Sequence, residues 1–304
     1  VAVFFYALDA GGGLERMART IAASEAFGPD HLDPLGATPV VTAVGLFFVF
    51  AVGTLGQPHM LHKFFMLDDP RKLKWMPLAI GASQSLCLLI WLGVGLAVPA
   101  LVAGGRLGPL AHPDEAAPQF LLGFAPPLLA GLVIAGILAA IMSTADSFVN
   151  IGAAAIVRDL PRALGTRVAD ELRWGRVTGV ALTAAAAVFA FHYGDLIALL
   201  GTFAFGTFAA ALAPAIAVGL NWRRVTAAAA SASIATGMAV NLLVEYLGRQ
   251  NSFAALPKLP FVPGVVPAAV AMAASFTVLF AVTWAGRRRA SVAIDPAVEA
   301  VMEL

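Results

Sequence analysis

The chain has 304 residues, a net charge of +1, 60% hydrophobic and 12% charged residues, and a mean hydropathy of +0.86. Soluble domains carry roughly 25% charged residues, so this composition excludes an ordinary soluble domain, and the neutral balance points to neither nucleic acid nor an acidic substrate. The single cysteine, Cys87, excludes an internal disulfide, no Cys/His spacing fits zinc, and no Gly-rich loop ends in the Gly-Lys-Ser/Thr of an ATP motor.

A bilayer span needs about 20 mostly apolar residues. In chain order, Val1–Leu8 reads as the tail of one such span, opening without Met as if cut from a longer protein. Residues 9–39 are polar, with Gly11-Gly12-Gly13, and read as a loop with a short amphipathic helix around Leu14–Ala23. Seven apolar stretches follow, at 41–66, 77–103, 122–157, 175–193, 195–221, 225–247 and 262–285. The third is too long for a perpendicular crossing, so it must tilt or extend beyond the bilayer. The fourth and fifth join tightly near His192-Tyr193-Gly194-Asp195 and predict a hairpin. The fifth carries Gly201, Gly206 and then Pro214, and small residues at that density permit close helix approach. The last two are rich in Ala and Val and read as peripheral, with Asn241 as a candidate helix contact.

Lys and Arg in short loops set orientation. Every second loop is basic: Lys63, Arg71, Lys72 and Lys74; then Arg158, Arg162, Arg167, Arg173 and Arg176; then Arg223 and Arg224; then Arg287–Arg289. These loops hold 14 basic residues against 5 in the alternate connections. The basic side predicts the cytoplasm, with the 286–304 tail inside and the 9–39 segment outside.

Two stretches carry candidate chemistry. The first stretch ends Val52-Gly53-Thr54-Leu55-Gly56-Gln57-Pro58-His59. Pro58 lacks an amide hydrogen and would leave the Thr54 carbonyl without its helical donor, while Gly53 and Gly56 lower the cost of a break. Two readings fit: a broken membrane helix that presents backbone groups to a solute, or a plain helix end with Gln57, Pro58, His59 and His62 at the interface. Phe50 lies two turns earlier, on the approach to Pro58.

In the third stretch, Ala140, Ser143, Thr144 and Ser147 recur at three- and four-residue spacing on one helix face. Hydroxyls and carbonyls are hard donors that suit a hard cation, yet Thr144 can equally satisfy itself on the Ala140 carbonyl. Asp146 points about 200° away from Thr144 by helix geometry. A carboxylate inside a span is a functional candidate, either as one half of a polar pair or as a proton carrier.

These motifs resemble the sodium/solute symporter family, in its proline/pantothenate branch. The carrying residues are Gly56-Gln57-Pro58-His59, then Ala139 through Ser147 (Ala-Ala-Ile-Met-Ser-Thr-Ala-Asp-Ser) followed by Arg158-Asp159-Leu160, then Pro214 with Trp222-Arg223-Arg224-Val225-Thr226. The resemblance implies an all-α polytopic membrane protein, with part of a five-plus-five inverted repeat. By it, residues 1–304 form one membrane domain: 1–8 end core helix 5, 9–39 form an extracellular or periplasmic loop, 41–221 hold core helices 6–10, 225–285 add two helices, and 286–304 are a cytoplasmic tail. Core helices 1–5 are expected upstream, in about six further spans.

The resemblance also implies roles. Ala140 (carbonyl), Ser143 and Thr144 (hydroxyls) match the family's sodium ligands on core helix 8, the other half of that site lying on core helix 1. Phe50, Thr54, Gln57 and Pro58 match cavity positions on core helix 6. The family's proline carriers hold Trp and Tyr where this chain holds Phe50 and Thr54, which counts against proline itself. The expected function is sodium-coupled symport of a small organic solute, an amino acid or carboxylate, by alternating access in the plasma membrane. Na+ is the coupling ion; no cofactor, nucleic-acid partner or enzyme chemistry is expected. A proton-coupled carrier using Asp146, a solute-sensing membrane domain and a non-transporting fragment are the alternatives.

Overall fold

The computed structural model describes residues 1–27, 29–36, 38–64, 70–192, 197–248 and 265–286, with backbone alone at 29, 64, 70–72, 192, 197–199 and 246–248. Helices run in chain order α1 (Ala2–Gly11), α2 (Leu14–Ala22), α3 (Val40–Ala51), α4 (Pro58–Phe64), α5 (Met76–Ala103), α6 (Ala116–Phe124), α7 (Pro127–Ala154), α8 (Leu160–Ala163), α9 (Glu171–His192), α10 (Ile197–Gly219), α11 (Ala227–Gly248) and α12 (Pro267–Gly286). No strand occurs among the described residues. Six helical stretches are long and apolar enough to cross a membrane: Leu73–Ala103, Pro127–Ala163, Glu171–Phe191, Leu200–Gly219, Ala227–Glu245 and Pro267–Gly286.

The expected stretch at 41–66 is not one helix. It breaks after Ala51 into a 3-10 turn, Gly53–Gly56, an extended Gln57, and then α4. The stretch expected from 122 begins at Pro127 instead. Ala125 and Pro126 each precede a proline and are driven into extended backbone, with ψ of 151° and 141°. Its C-terminal end continues through a π-helical turn, Ala155–Asp159, into α8. The predicted hairpin at Tyr193–Asp195, the bases Arg249, Lys258 and Arg287–Arg289, and the tail after Gly286 lie outside the described residues.

The helices group into two compact units. One comprises Val1–Ala37 and Leu67–Leu196. Its core gathers Val3 and Ala7 of α1, Met17 and Ile21 of α2, Ala97 and Leu101 of α5, and Phe120 and Leu121 of α6. The amphipathic helix expected near Leu14–Ala23 is α2. The left-handed glycines Gly12 and Gly13, at φ of 76° and 91°, turn the chain from α1 into it. Such values favour a residue without a β-carbon. α7 and α9 pack against each other in the same unit, but their spans are largely exposed.

The second unit comprises Thr38–Met66 and Ile197–Leu304. Here α3 and the 3-10 turn join α10, α11 and α12, and small residues set the spacing. A β-carbon on Gly53 would overlap Ala209, one on Gly206 would overlap Ala268, and one on Gly237 would overlap the Ala210 carbonyl. Pro214 cannot donate to that carbonyl from within α10. The Gly237 backbone therefore lies against an acceptor that its own helix leaves free.

Polar pairs reinforce this packing. Ser233 of α11 and Ser275 of α12 share a hydroxyl contact at 2.8 Å, and the Ser275 hydroxyl also donates to the Ser233 carbonyl at 2.9 Å. Both residues are fully buried. Asn241 donates from Nδ2 to Thr207 Oγ1 at 2.8 Å, so the candidate contact is made to α10. Thr207 in turn donates to the Phe203 carbonyl. A double-mutant cycle of Asn241→Val and Thr207→Val, read by unfolding in bicelles, should give a coupling of about 0.6 kcal/mol and not above about 1.7, the range of interhelical hydrogen bonds in membranes. Strict additivity would show that the pair contributes nothing.

Candidate functional site

The break between α3 and α4 has a local cause and a distant anchor. Gln57 adopts φ −82° and ψ 108°, and its amide donates to the Thr54 carbonyl at 3.2 Å. Pro58 therefore does not orphan Thr54, because the 3-10 turn supplies a donor one residue early. Pro58 instead opens α4, where its missing donor is harmless. The Gln57 carbonyl receives the amides of Met60 and Leu61, both at 3.0 Å.

The anchor is α10. A β-carbon on Gly56 would stand 2.7 Å from the Phe208 carbonyl oxygen and 2.8 Å from the Ala213 amide, so only glycine lets the turn approach so closely. The Gln57 side chain is fully buried. Its Nε2 donates to the Phe205 carbonyl at 3.0 Å and to the Gly53 carbonyl at 3.3 Å, and its Oε1 has no hydrogen-bond partner among the described residues.

Of the four cavity candidates, Phe50 and Thr54 are exposed neighbours one turn apart, joined by a hydrogen bond from the Thr54 hydroxyl to the Phe50 carbonyl. The Phe50 ring also rests on Phe205, with centroids 4.9 Å apart. Pro58 is half-buried. Gln57 is not brought to the exposed side with Phe50 and Thr54. Sequence reasoning names Gln57 but misses its partner Phe205. No local signal points to a carbonyl 148 residues away.

On α7, Ala140, Ser143 and Thr144 are all exposed and share one face. Thr144 donates from Oγ1 to the Ala140 carbonyl at 3.1 Å, and Ser147 donates to the Ser143 carbonyl at 2.9 Å. These bonds do not consume the donors a cation needs. A hydroxyl that donates its proton keeps its lone pairs, and a carbonyl has a second one. Asp146 accepts at 3.0 Å from Asn150, four residues along its own helix. That pair lies at i,i+4, a spacing visible in the sequence. Among the described residues, no cluster of His, Cys, Asp or Glu fits a transition-metal site.

An all-helical chain with six helical stretches long and apolar enough to cross a membrane has the build of a multi-pass membrane protein. It belongs to the sodium:solute symporter family, whose profile matches residues 1–237. The High-affinity proline transporter PutP of Bacillus subtilis is 28% identical over 236 residues, 74% of this chain and 48% of that protein. The Sodium/pantothenate symporter of Haemophilus influenzae is 26% identical over 247 residues, 77% of this chain and 49% of that protein. An uncharacterized symporter of Cupriavidus necator, H16_A2524, is 37% identical over 141 residues, 43% of this chain and 20% of that protein. The chain spans about half the length of the first two. No solved structure matches it.

Proposed function

We propose that the protein is part of a sodium-coupled symporter for a small organic solute, an amino acid or carboxylate, working by alternating access in the plasma membrane. The observation that carries this reading is the broken helix at Val52–Gln57 within the family-matched region. Discontinuous membrane helices bind solutes and ions near mid-membrane in secondary transporters. In this reading α3–α4 and α5, α7, α9 and α10 are core helices 6–10 of a five-plus-five inverted repeat, and residues 1–304 are one membrane domain of a longer carrier. Core helices 1–5 supply the remainder, and the basic loops and C-terminus face the cytoplasm.

Phe50, Thr54 and Pro58 line the solute's path, and Gln57 fixes the break from behind by its bonds to α10. The Ala140 carbonyl and the Ser143 and Thr144 hydroxyls take the sodium ion. Binding of Na+ steadies the outward-open state, and the solute then binds at the broken helix. Rocking of the core releases both inward. Each sodium charge contributes about 2.3 kcal/mol of driving force per 100 mV.

Proteoliposomes containing the full-length carrier test this. An inward sodium gradient should drive accumulation of at least one labelled amino acid or small carboxylate, and collapsing the gradient should end it. Equal accumulation under a proton gradient in sodium-free buffer would replace sodium by the proton. No accumulation of any solute under either gradient would remove the transport reading.

A further inference from the structure

α7 and α9 run antiparallel and each brings a glycine to their contact. A β-carbon on Gly152 would stand 3.1 Å from Leu182, and one on Gly179 would stand 3.4 Å from Val149. The two helices also border a groove of about 810 Å³ that reaches to the loop joining them. Its walls are apolar, with Val149 and Val157 on α7 and its π-helical turn, and Leu172 and Val180 on α9. Its loop end carries Arg158 and Arg176.

The charges at that end do not cancel. Glu171 also lines the groove, but it is held by Arg162 at 3.0 Å. Neither Arg158 nor Arg176 has an ion-pair partner among the described residues. Arg158 sits in the π-helical turn Ala155–Asp159, a feature frequent at functional sites. The one added residue rotates the helix beyond it by about 100°, which changes the side that the turn's residues present. From Val149 to Arg158 the groove follows nine residues, roughly 14 Å of helix. At the deep end Asn150 is bonded to Asp146, so that carboxylate lies more than two turns from the arginines.

We propose that this groove is a binding site for one anionic phospholipid. Its phosphate sits between Arg158 and Arg176, and one acyl chain lies along Val157 and Val149. Guanidinium groups bind phosphate in a bidentate fork. Basic pockets between membrane helices take anionic headgroups. A free phosphate would use the arginines and leave the apolar wall uncovered, whereas a zwitterionic lipid would use the wall and bring no net charge to the arginines. Only an anionic lipid matches both.

The test is native mass spectrometry of the protein released from vesicles containing equal amounts of phosphatidylglycerol and phosphatidylcholine of the same chain length. The wild type should retain phosphatidylglycerol over phosphatidylcholine by roughly 30-fold, about fivefold per arginine. Arg158→Gln with Arg176→Gln should reduce that preference to near unity. Arg167→Gln with Arg173→Gln, the same charge change off the groove, should leave it intact. Gly175→Leu, which fills the groove without touching a charge, should lower phosphatidylglycerol retention and serves if the double arginine variant does not fold.

Equal retention of the two lipids by the wild type would overturn the site. So would an equal loss in the Arg167/Arg173 variant, or displacement of the lipid by millimolar inorganic phosphate. Sodium-driven uptake is scored separately, so failure here leaves the transport reading standing.

Discussion

In the full-length carrier, replacing Ser143 or Thr144 by Ala should raise the sodium concentration for half-maximal uptake by about tenfold or more, with the amount of inserted protein unchanged. A hydrogen bond to a charged group is worth about 1.5–3 kcal/mol, and a cation ligand in a dry site is of that order. The two hydroxyls are not equivalent. The Thr144 proton is committed to the Ala140 carbonyl at 3.1 Å, so its lone pairs already point away from its own helix. The Ser143 hydroxyl makes no hydrogen bond among the described residues, its carbonyl alone receiving Ser147, so in the proposed site the ion would be what orders it. Thr144→Ser should therefore keep most of the affinity, and Thr144→Val should behave as Thr144→Ala. Both alanine variants lie on an exposed helical face where Ala is the better helix former, so loss of fold is not the expected route. Unchanged sodium activation in Ser143→Ala and Thr144→Ala together would remove the ion from this face.

Gly237→Leu should be the most destabilising substitution in the second unit, by about 3 kcal/mol or more. Even Gly237→Ala should lower the thermal midpoint in detergent clearly. The obstacle is backbone: a β-carbon there overlaps the carbonyl of Ala210, which cannot swing aside as a side-chain tip can. Moving α11 outward would also pull Asn241, one turn along the same face, away from Thr207. The Asn241 side chain is nearly fully buried, so its amide would lose the partner that offsets its burial. Gly219→Ala is the matched control, because nothing lies within 4 Å of that β-carbon. Equal midpoints for Gly237→Ala and Gly219→Ala would contradict the packing of α10 against α11.

Much of the helical layout was legible because long apolar runs have few other uses, and the broken helix was legible as one of two readings from Gly53, Gly56 and Pro58. What holds the break in its observed shape lies elsewhere in the chain. The 3-10 turn persists because Gly56 can press against Phe208 and Ala213, and the local sequence does not contain those partners. The direction of Gln57 was illegible for the same reason: its donors find Phe205 only once α10 is in place. In α11 and α12, Ser233 and Ser275 carry no local mark that separates them from the other small residues. Their pairing is a tertiary fact. The Asp146–Asn150 pair was within reach of the sequence at i,i+4. The π-helical turn left no sequence mark, since Ala-Ile-Val-Arg-Asp is compatible with an ordinary α-helix.

The broken helix also has a consequence for synthesis. α3 is 12 residues long, about 18 Å, well short of the roughly 30 Å hydrocarbon core. The α10 surface that seats Gly53 and Gly56 leaves the ribosome only after the intervening Leu67–Leu196 segment has been made. At 5–20 residues per second that delay is on the order of ten seconds. Through it the turn has neither the Phe205 carbonyl nor the Phe208 backbone against it. The break is thus a seam that stays open until α10 arrives, and only then can α11 and α12 close over it.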